Sequence, residues 1–149
     1  MNKIFLSLGS NINPKQNISE AKKLLSNSFV LKKESAIYIT SSEGFEGKDF
    51  LNQVILFETK HNPKDVIKEI KAIEKTIGRI ERKEKFSDRE IDIDLIMYDQ
   101  LIEEVLGKKI PHDDIEKYNF VLEPLAEIAP DLIHPVLNIS ISDLWNEKN

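Results

Sequence analysis

The chain contains no cysteine. That removes disulfides, thiolate metal sites and cysteine nucleophiles, and it suits a reducing compartment such as the cytoplasm. An excess of basic residues is missing too: 21 Lys and Arg stand against 26 Asp and Glu, a net charge of -5. No general field therefore draws the chain to nucleic acid. No apolar run approaches the roughly 18 residues that a membrane-spanning helix needs. The first residues enter a strand pattern at Ile4 with no small-residue cleavage site, so no leader is expected. There is no Gly-x-x-x-x-Gly-Lys-Ser/Thr run and no Gly-x-Ser-x-Gly turn, so a Walker-type phosphate loop and a nucleophile elbow are both excluded. Glycine is scarce, at five residues, and two of the five, Gly44 and Gly47, fall in a single segment.

What remains is a globular composition, 40% hydrophobic and 32% charged, long enough at 149 residues for one domain over residues 1–149 with a real core. Ile4 begins a short buried strand that stops at Gly9-Ser10-Asn11. Asn13-Pro14 then reads as an N-cap and first helical position, and Ile18, Ala21, Leu24 and Leu25 give residues 14–26 one apolar face. Residues 29–40 read as a strand interrupted at Lys32-Lys33-Glu34 by a bulge or an exposed edge. The segment Ser41 to Asp49 is longer than a hairpin requires. Residues 50–59 form a long strand. Asn62-Pro63 starts a helix over 63–77, with Val66, Ile67, Ile70, Ile73 and Ile77 at helical spacing and Gly78 as its stop. Leu101-Ile102 with Val105-Leu106 suggests a small hairpin, the last third is helical and irregular, and Ser142 reads as the cap of a final helix. The order βαββαβ predicts an α+β, ferredoxin-like sandwich with a mainly antiparallel sheet.

The chemistry centres on Arg89-Glu90-Ile91-Asp92-Ile93-Asp94-Leu95-Ile96-Met97-Tyr98. Alternation on a strand puts Ile91, Ile93, Leu95 and Met97 on one face and Glu90, Asp92 and Asp94 on the other. By itself this is the pattern of an ordinary half-solvated strand; it is also that of a carboxylate pair that shares divalent cations, a reading the neighbouring residues favour. The preceding segment carries Arg79, Arg82, Lys83, Lys85 and Arg89, cations suited to phosphates bound through Mg²⁺. Lys71 and Glu74 are either solvated helix charges or ligand contacts, depending on whether the C-terminal half of their helix lines a cleft. His61 and His134 sit beside turn residues, as structural histidines do. His112 either donates to a phosphate or caps a short helix.

Gly9-Ser10-Asn11, Phe50-Leu51-Asn52, Gly78-Arg79, the Asp-x-Asp strand with Arg89, Pro111-His112 and Phe120-Val121-Leu122-Glu123-Pro124-Leu125-Ala126-Glu127-Ile128-Ala129-Pro130 together give a pattern. That pattern resembles 6-hydroxymethyl-7,8-dihydropterin pyrophosphokinase over nearly the whole chain. The resemblance implies transfer of the β,γ-diphosphate of ATP to the hydroxymethyl group of a reduced pterin, with release of AMP, in folate biosynthesis. It implies two Mg²⁺ ions on Asp92 and Asp94, with Arg89 and Arg79 neutralising the transferred group. ATP would be met by Lys71, Glu74, Arg79, Arg89, Lys109, His112 and Tyr118. The pterin would lie between Phe50 and Phe120, its polar edge read by Asn52, Asp92, Thr40 and Glu43. From the residues alone, Phe50 and Phe120 read as core packing.

The resemblance also implies that the segments around Glu43 to Lys48 and Glu81 to Asp88 close over the substrates. Glu81, Phe86-Ser87-Asp88, Tyr118 and Ser42 depart from the family pattern of Arg, Trp-Gly-Pro, Arg and Pro; Arg82, Lys83, Lys85 and Lys117 are adjacent cations that can substitute. A monomer in the cytoplasm, with no nucleic-acid or membrane partner, is expected. The rival readings are a two-metal nucleotidyl transferase or cyclase, separated by release of pyrophosphate instead of AMP, a catalytically weak pterin-binding relative, and a binding module, either a small-molecule sensor that needs no Mg²⁺ or an RNA-binding sheet, for which this chain lacks the basic surface.

Overall fold

The computed structural model describes residues 1–41, 49–78 and 91–149. Strand β1 (Asn2–Ser10) leads into helix α1 (Pro14–Ser28), and then come β2 (Val30–Glu34), β3 (Tyr38–Thr40), β4 (Phe50–Thr59), helix α2 (Pro63–Gly78) and β5 (Asp92–Tyr98). These elements form a five-stranded sheet in the order β2-β4-β1-β5, with β3 also pairing on β4. Every pairing in it is antiparallel. Each strand–helix–strand unit is split by a strand of the other unit, the topology expected of a ferredoxin-like sandwich. A hairpin of β6 (Glu103–Val105) and β7 (Lys108–Ile110) and helices α3 (Asp114–Lys117), α4 (Asn119–Ile128) and α5 (Ile141–Lys148) complete the chain.

Helical and strand periods meet in two cores. On one sheet face Ile4, Leu6, Leu8, Ile55, Phe57, Ile93 and Leu95 pack against Ile18, Ala21 and Leu25 of α1 and Val66, Ile67, Ile70 and Ile73 of α2. On the other, Phe5, Val54, Ile96 and Met97 meet Val121, Leu122, Leu125 and Ile128 of α4 and Ile141 and Leu144 of α5. Met97 thus lies opposite to the face that strict alternation predicts. Phe5 pairs with Met97 but Leu6 with Leu95, so Ile96 is an extra residue in β5, and a bulge reverses the alternation after it. Tyr98 takes the place in the first core, its hydroxyl donating to the His61 carbonyl at 2.7 Å.

Other boundaries move for local reasons. The charged triplet Lys32-Lys33-Glu34 belongs to β2, wholly exposed at the sheet edge, with a register shift between Leu31 and Lys33. The break comes later, at residues 35–37. Asn13 stands at the N-cap of α1, yet its left-handed backbone (φ 40°) leaves its side chain without a cap bond. Helix α5 is capped by Ser140, whose hydroxyl accepts from the Asp143 N–H at 3.1 Å, and not by Ser142. His134 is fully buried, and its Nδ1 accepts from the Val136 and Leu137 N–H groups, a structural role.

The hairpin lies two to four residues beyond the expected one. Its turn is Leu106-Gly107, with φ of 51° and 76° between the paired Val105 and Lys108. Two positive φ values in a two-residue loop make a type I′ turn, which favours Asn-Gly, while Leu in the left-handed region costs about 1 kcal/mol. Replacing the exposed Leu106 by Asn is therefore expected to raise stability by about 0.5–1 kcal/mol, read as a higher denaturant midpoint at unchanged slope.

Candidate active site

Register alone brings the polar residues together. Tyr38 pairs with Asn52, Asn52 with Gly9, and Gly9 with Asp92, so four strands contribute to one rung. The next rung is Val54, Ser7 and Asp94, and beyond the first lies Thr40 against Phe50. Directly paired antiparallel residues share a face, so Tyr38, Thr40, Phe50, Asn52, Asp92 and Asp94 lie on one side of the sheet. It is the side packed by α4 and α5. Those helices cover the Phe5 and Val54 end, and among the described residues the Gly9 end is a trough with Phe50, Asp92 and Asp94 half-buried.

Gly9 makes the trough possible. A Cβ there would stand 3.2 Å from Asn52 Oδ1 and 4.0 Å from Phe50 Cδ1. With no side chain on β1, a gap of two strand spacings, roughly 9.5 Å, separates the Asn52 and Asp92 backbones. Asn52 is buried, and its Nδ2 donates to Thr40 Oγ1 at 2.9 Å and to the Tyr38 carbonyl at 3.4 Å, which leaves Oδ1 turned to the trough. Phe120, at the start of α4, is half-buried beside the second core and stacks on the exposed Tyr118 ring at 4.9 Å and 21°.

At the free edge of β5 a cleft is lined by Lys71, Glu74, Asp92, Asp94, Lys108 and His112, among others. The edge strand would present unpaired backbone groups, and the chain covers them: Glu74 Oε2 accepts the Ile93 N–H at 2.8 Å, and the His112 N–H donates to the Ile96 carbonyl at 2.9 Å. Glu74 is thereby a half-buried member of the cleft and not a solvated helix charge. His112 Nδ1 accepts the Asp114 N–H at 3.0 Å, which assigns the ring proton to Nε2. The imidazole caps a short helix and keeps an N–H donor for a ligand, so the two roles open in the sequence are compatible.

Burial pushes the Glu74 carboxyl up to about 7, aided by the Asp92 and Asp94 charges and opposed by the Ile93 N–H and Lys108. Asp94 is pushed up to about 6 by burial and then by Asp92, with His112 and Lys108 opposing. Three carboxylates in one cleft call for a cation. Oxygen donors of this kind fit Mg²⁺, which takes few protein ligands and keeps places for water and phosphate oxygens. Asp94, His112 and Asp114 also bring ligand atoms within 4.8 Å of one another.

Folded-state values above the ordinary 4.5 and 3.8 mean that the native protein holds protons the unfolded chain releases. Stability from these groups is then full at low pH and lost as pH rises through about 6 and 7. Stripped of divalent cations, the protein is expected to lose on the order of a few kcal/mol between about pH 5 and about pH 8. The loss should be smaller in Glu74→Gln and partly reversed by Mg²⁺, as denaturant titrations at the two pH values would show.

The structure gathers most of the sequence-predicted residues and separates others. Asp92, Asp94, Lys71, Glu74 and His112 line the cleft; Thr40, Phe50 and Asn52 line the trough. Lys109 turns instead to Asp113, at 2.7 Å, and it is Lys108 that faces the cleft. Lys108 shares a face with the buried Ile110, a signal that a correctly registered hairpin would have revealed. Tyr118 lies on Phe120, outside that cleft lining, and Lys117 is 4.0 Å from Asp113. Arg79, Arg89, Glu43, Arg82, Lys83 and Lys85, and both expected closing segments, lie outside the described residues.

The family model described as 7,8-dihydro-6-hydroxymethylpterin-pyrophosphokinase (HPPK) matches residues 5–130. A 2-amino-4-hydroxy-6-hydroxymethyldihydropteridine pyrophosphokinase from Aquifex aeolicus is 39% identical over 147 residues, covering 97% of this chain and 91% of the relative. The Haemophilus influenzae protein of the same name is 33% identical, covering 88% and 84%. The folic acid synthesis protein FOL1 of Dictyostelium discoideum is 38% identical over 93% of this chain, which spans only 21% of that longer protein. The crystal structure of an HPPK-DHPS in complex with substrates superimposes with a TM-score of 0.76 at 14% identity, over 99% of this chain and 43% of that one. At that identity the likeness speaks for the fold. The chain spans less than half the length of such two-part proteins.

Proposed function

The chain belongs to the 7,8-dihydro-6-hydroxymethylpterin-pyrophosphokinase family, and from that premise we propose how its residues perform the reaction. The protein is an ATP-dependent diphosphotransferase of folate biosynthesis, acting on ATP and 6-hydroxymethyl-7,8-dihydropterin. The hydroxymethyl oxygen attacks the β-phosphorus of ATP and releases its proton to solvent, the bond from that phosphorus to the oxygen bridging to the α-phosphate breaks, and AMP leaves with that oxygen.

The pterin lies in the trough over Gly9, between the rings of Phe50 and Phe120, where flat faces stack and water is excluded. Asn52 Oδ1 accepts from the polar edge of the ring, and Thr40 holds Asn52 in that orientation. Asp92, at the end of the same rung, and Asp94 on the next would hold two Mg²⁺ ions at the cleft. Bound there, Mg²⁺ supplies positive charge to the phosphate oxygens. Lys71, Lys108 and the Nε2–H of His112 bind the triphosphate beside them. Glu74 keeps the Ile93 edge in place beneath it. Arg79 and Arg89 are assigned to charge neutralisation on the family resemblance alone. The observation that carries this reading is the pairing that sets Asn52, Gly9 and Asp92 side by side, joining a ring-sized gap to a carboxylate pair.

Helices of the same chain cover both sheet faces, which supports a single domain and a monomer. No helix among the described residues is long and apolar enough to cross a membrane. A cytoplasmic location is proposed on the cysteine-free sequence, which suits a reducing compartment. The test is AMP formation from ATP with and without the hydroxymethyl pterin and with and without Mg²⁺. AMP is expected only when all three are present. Pyrophosphate in place of AMP would sink the reading in favour of nucleotidyl transfer.

A further inference from the structure

The segment from Phe120 to Pro130 carries much of the family pattern, yet only Phe120 has a role in the reading above. Glu127 lies within it, two helical turns from Phe120 and on the same side of α4, since seven residues are close to two turns. Its carboxylate leaves the helix for the sheet. Oε1 accepts from the Tyr38 hydroxyl at 2.6 Å, and both oxygens accept from the Ala36 N–H at 3.2 and 3.1 Å.

These partners lie where the sheet edge is irregular. Glu34 pairs with Ile55 and Tyr38 with Asn52, so four steps on one strand match three on β4, and one residue is extra. Ser35 stays on β4 through its N–H to the Val54 carbonyl at 2.9 Å and its Oγ, which accepts the Val54 N–H at 3.0 Å. Gln53 Nε2 donates to the Ser35 carbonyl at 2.7 Å. The Ala36 N–H turns out of the ladder to Glu127. Beyond it β3 resumes, with Tyr38 on the Asn52 rung and Thr40 on the Phe50 rung. Burial and the Glu127 carboxylate push the Tyr38 hydroxyl up to about 12, so it remains a donor across the working pH range.

We infer that Glu127 is a positioning residue for the pterin: it ties the helix that carries Phe120 to the strand that orients Thr40 and Asn52 against Phe50, and so sets the width of the slot between the two rings. The inference rests on the reading that the pterin lies between Phe50 and Phe120. An exposed carboxylate contributes little to global stability. Its effect should instead appear in the binding of one substrate, because misplacement on the order of 1 Å in a stacking slot costs binding steeply.

The experiment compares Glu127→Ala, Glu127→Gln, Tyr38→Phe and Phe120→Ala by KM for pterin, KM for ATP, kcat and unfolding midpoint. Glu127→Ala is expected to raise the pterin KM about tenfold with the ATP KM within about twofold. Tyr38→Phe, which removes one hydroxyl and keeps the ring, is expected to give a smaller rise, and Glu127→Gln, which retains one acceptor, an intermediate one. The Glu127→Ala and Tyr38→Phe effects should be less than additive in the double variant. A lowered midpoint with both KM values unchanged, or an equal rise in both KM values, overturns the inference. If Glu127→Ala fails to fold, an unchanged pterin KM in Tyr38→Phe overturns it just as well. Phe120→Ala separates the two levels. An unchanged pterin KM there refutes the slot itself, whereas a raised one beside an unaffected Glu127→Ala refutes only the clamp.

Discussion

Asp94→Asn is expected to cut pterin-dependent AMP formation on the order of 100- to 1,000-fold while leaving the fold intact. The substitution keeps the shape and size of the side chain, so the Ser7 rung and the cleft lining should persist. What it removes is a charge that the folded chain holds at a cost: burial and Asp92 push the Asp94 carboxyl up to about 6 despite His112 and Lys108, and a bound cation would relieve that further. Two consequences separate lost function from damaged structure. Without divalent cation, the variant at about pH 8 should be as stable as the parent or more so, because a buried like charge is gone. With Mg²⁺ added, the parent's unfolding midpoint should rise and the variant's should rise less, because ligand binding to the native state stabilises by mass action. Retained activity together with an unchanged Mg²⁺ response would show that Asp94 is not a metal ligand.

Gly9→Val is expected to raise the pterin KM by about tenfold or more with little change in the ATP KM. The position has no positive φ, so a side chain is tolerated by the backbone, and valine favours strands. Space is the constraint. A Cβ alone would stand 3.2 Å from Asn52 Oδ1, and the two added methyl groups would fill the gap between Asn52 and Asp92. The cleft at the β5 edge, lined by Lys71, Glu74, Lys108 and His112, lies beyond that gap and should keep its ATP affinity. Gly9→Ala is expected to give a smaller change in the same direction. A pterin KM unchanged in both variants, measured beside a normal ATP KM, would mean that the ring does not lie over Gly9.

Much of this architecture was legible in the residues. The strands from Asn2 and Phe50 and the helices from Pro14 and Pro63 announced themselves by period, punctuation and caps, because those signals depend on neighbours within a few residues. The Asp92 and Asp94 pair was legible for the same reason, as was the face it shares. Strict alternation fails in β5 after Leu95. The bulge at Ile96 depends on how β5 meets β1, and it moves Met97 to the second core. The exchange of Lys109 for Lys108 has the same origin, since a hairpin displaced by a few residues presents different side chains.

Composition and motif therefore settled the class of chemistry: an acidic, cysteine-free chain with paired aspartates on a strand and the pattern of a pterin pyrophosphokinase. Tertiary structure alone decided the working geometry. That Gly9 stands between Asn52 and Asp92, that Glu74 closes the free edge of β5, and that Glu127 reaches from α4 to Ala36 and Tyr38 all follow from pairings between residues far apart in the chain. A strand's two-residue period is carried by its own backbone, but which rung it shares is set by the register it finds against its neighbours, and a shift of one residue reassigns every side chain.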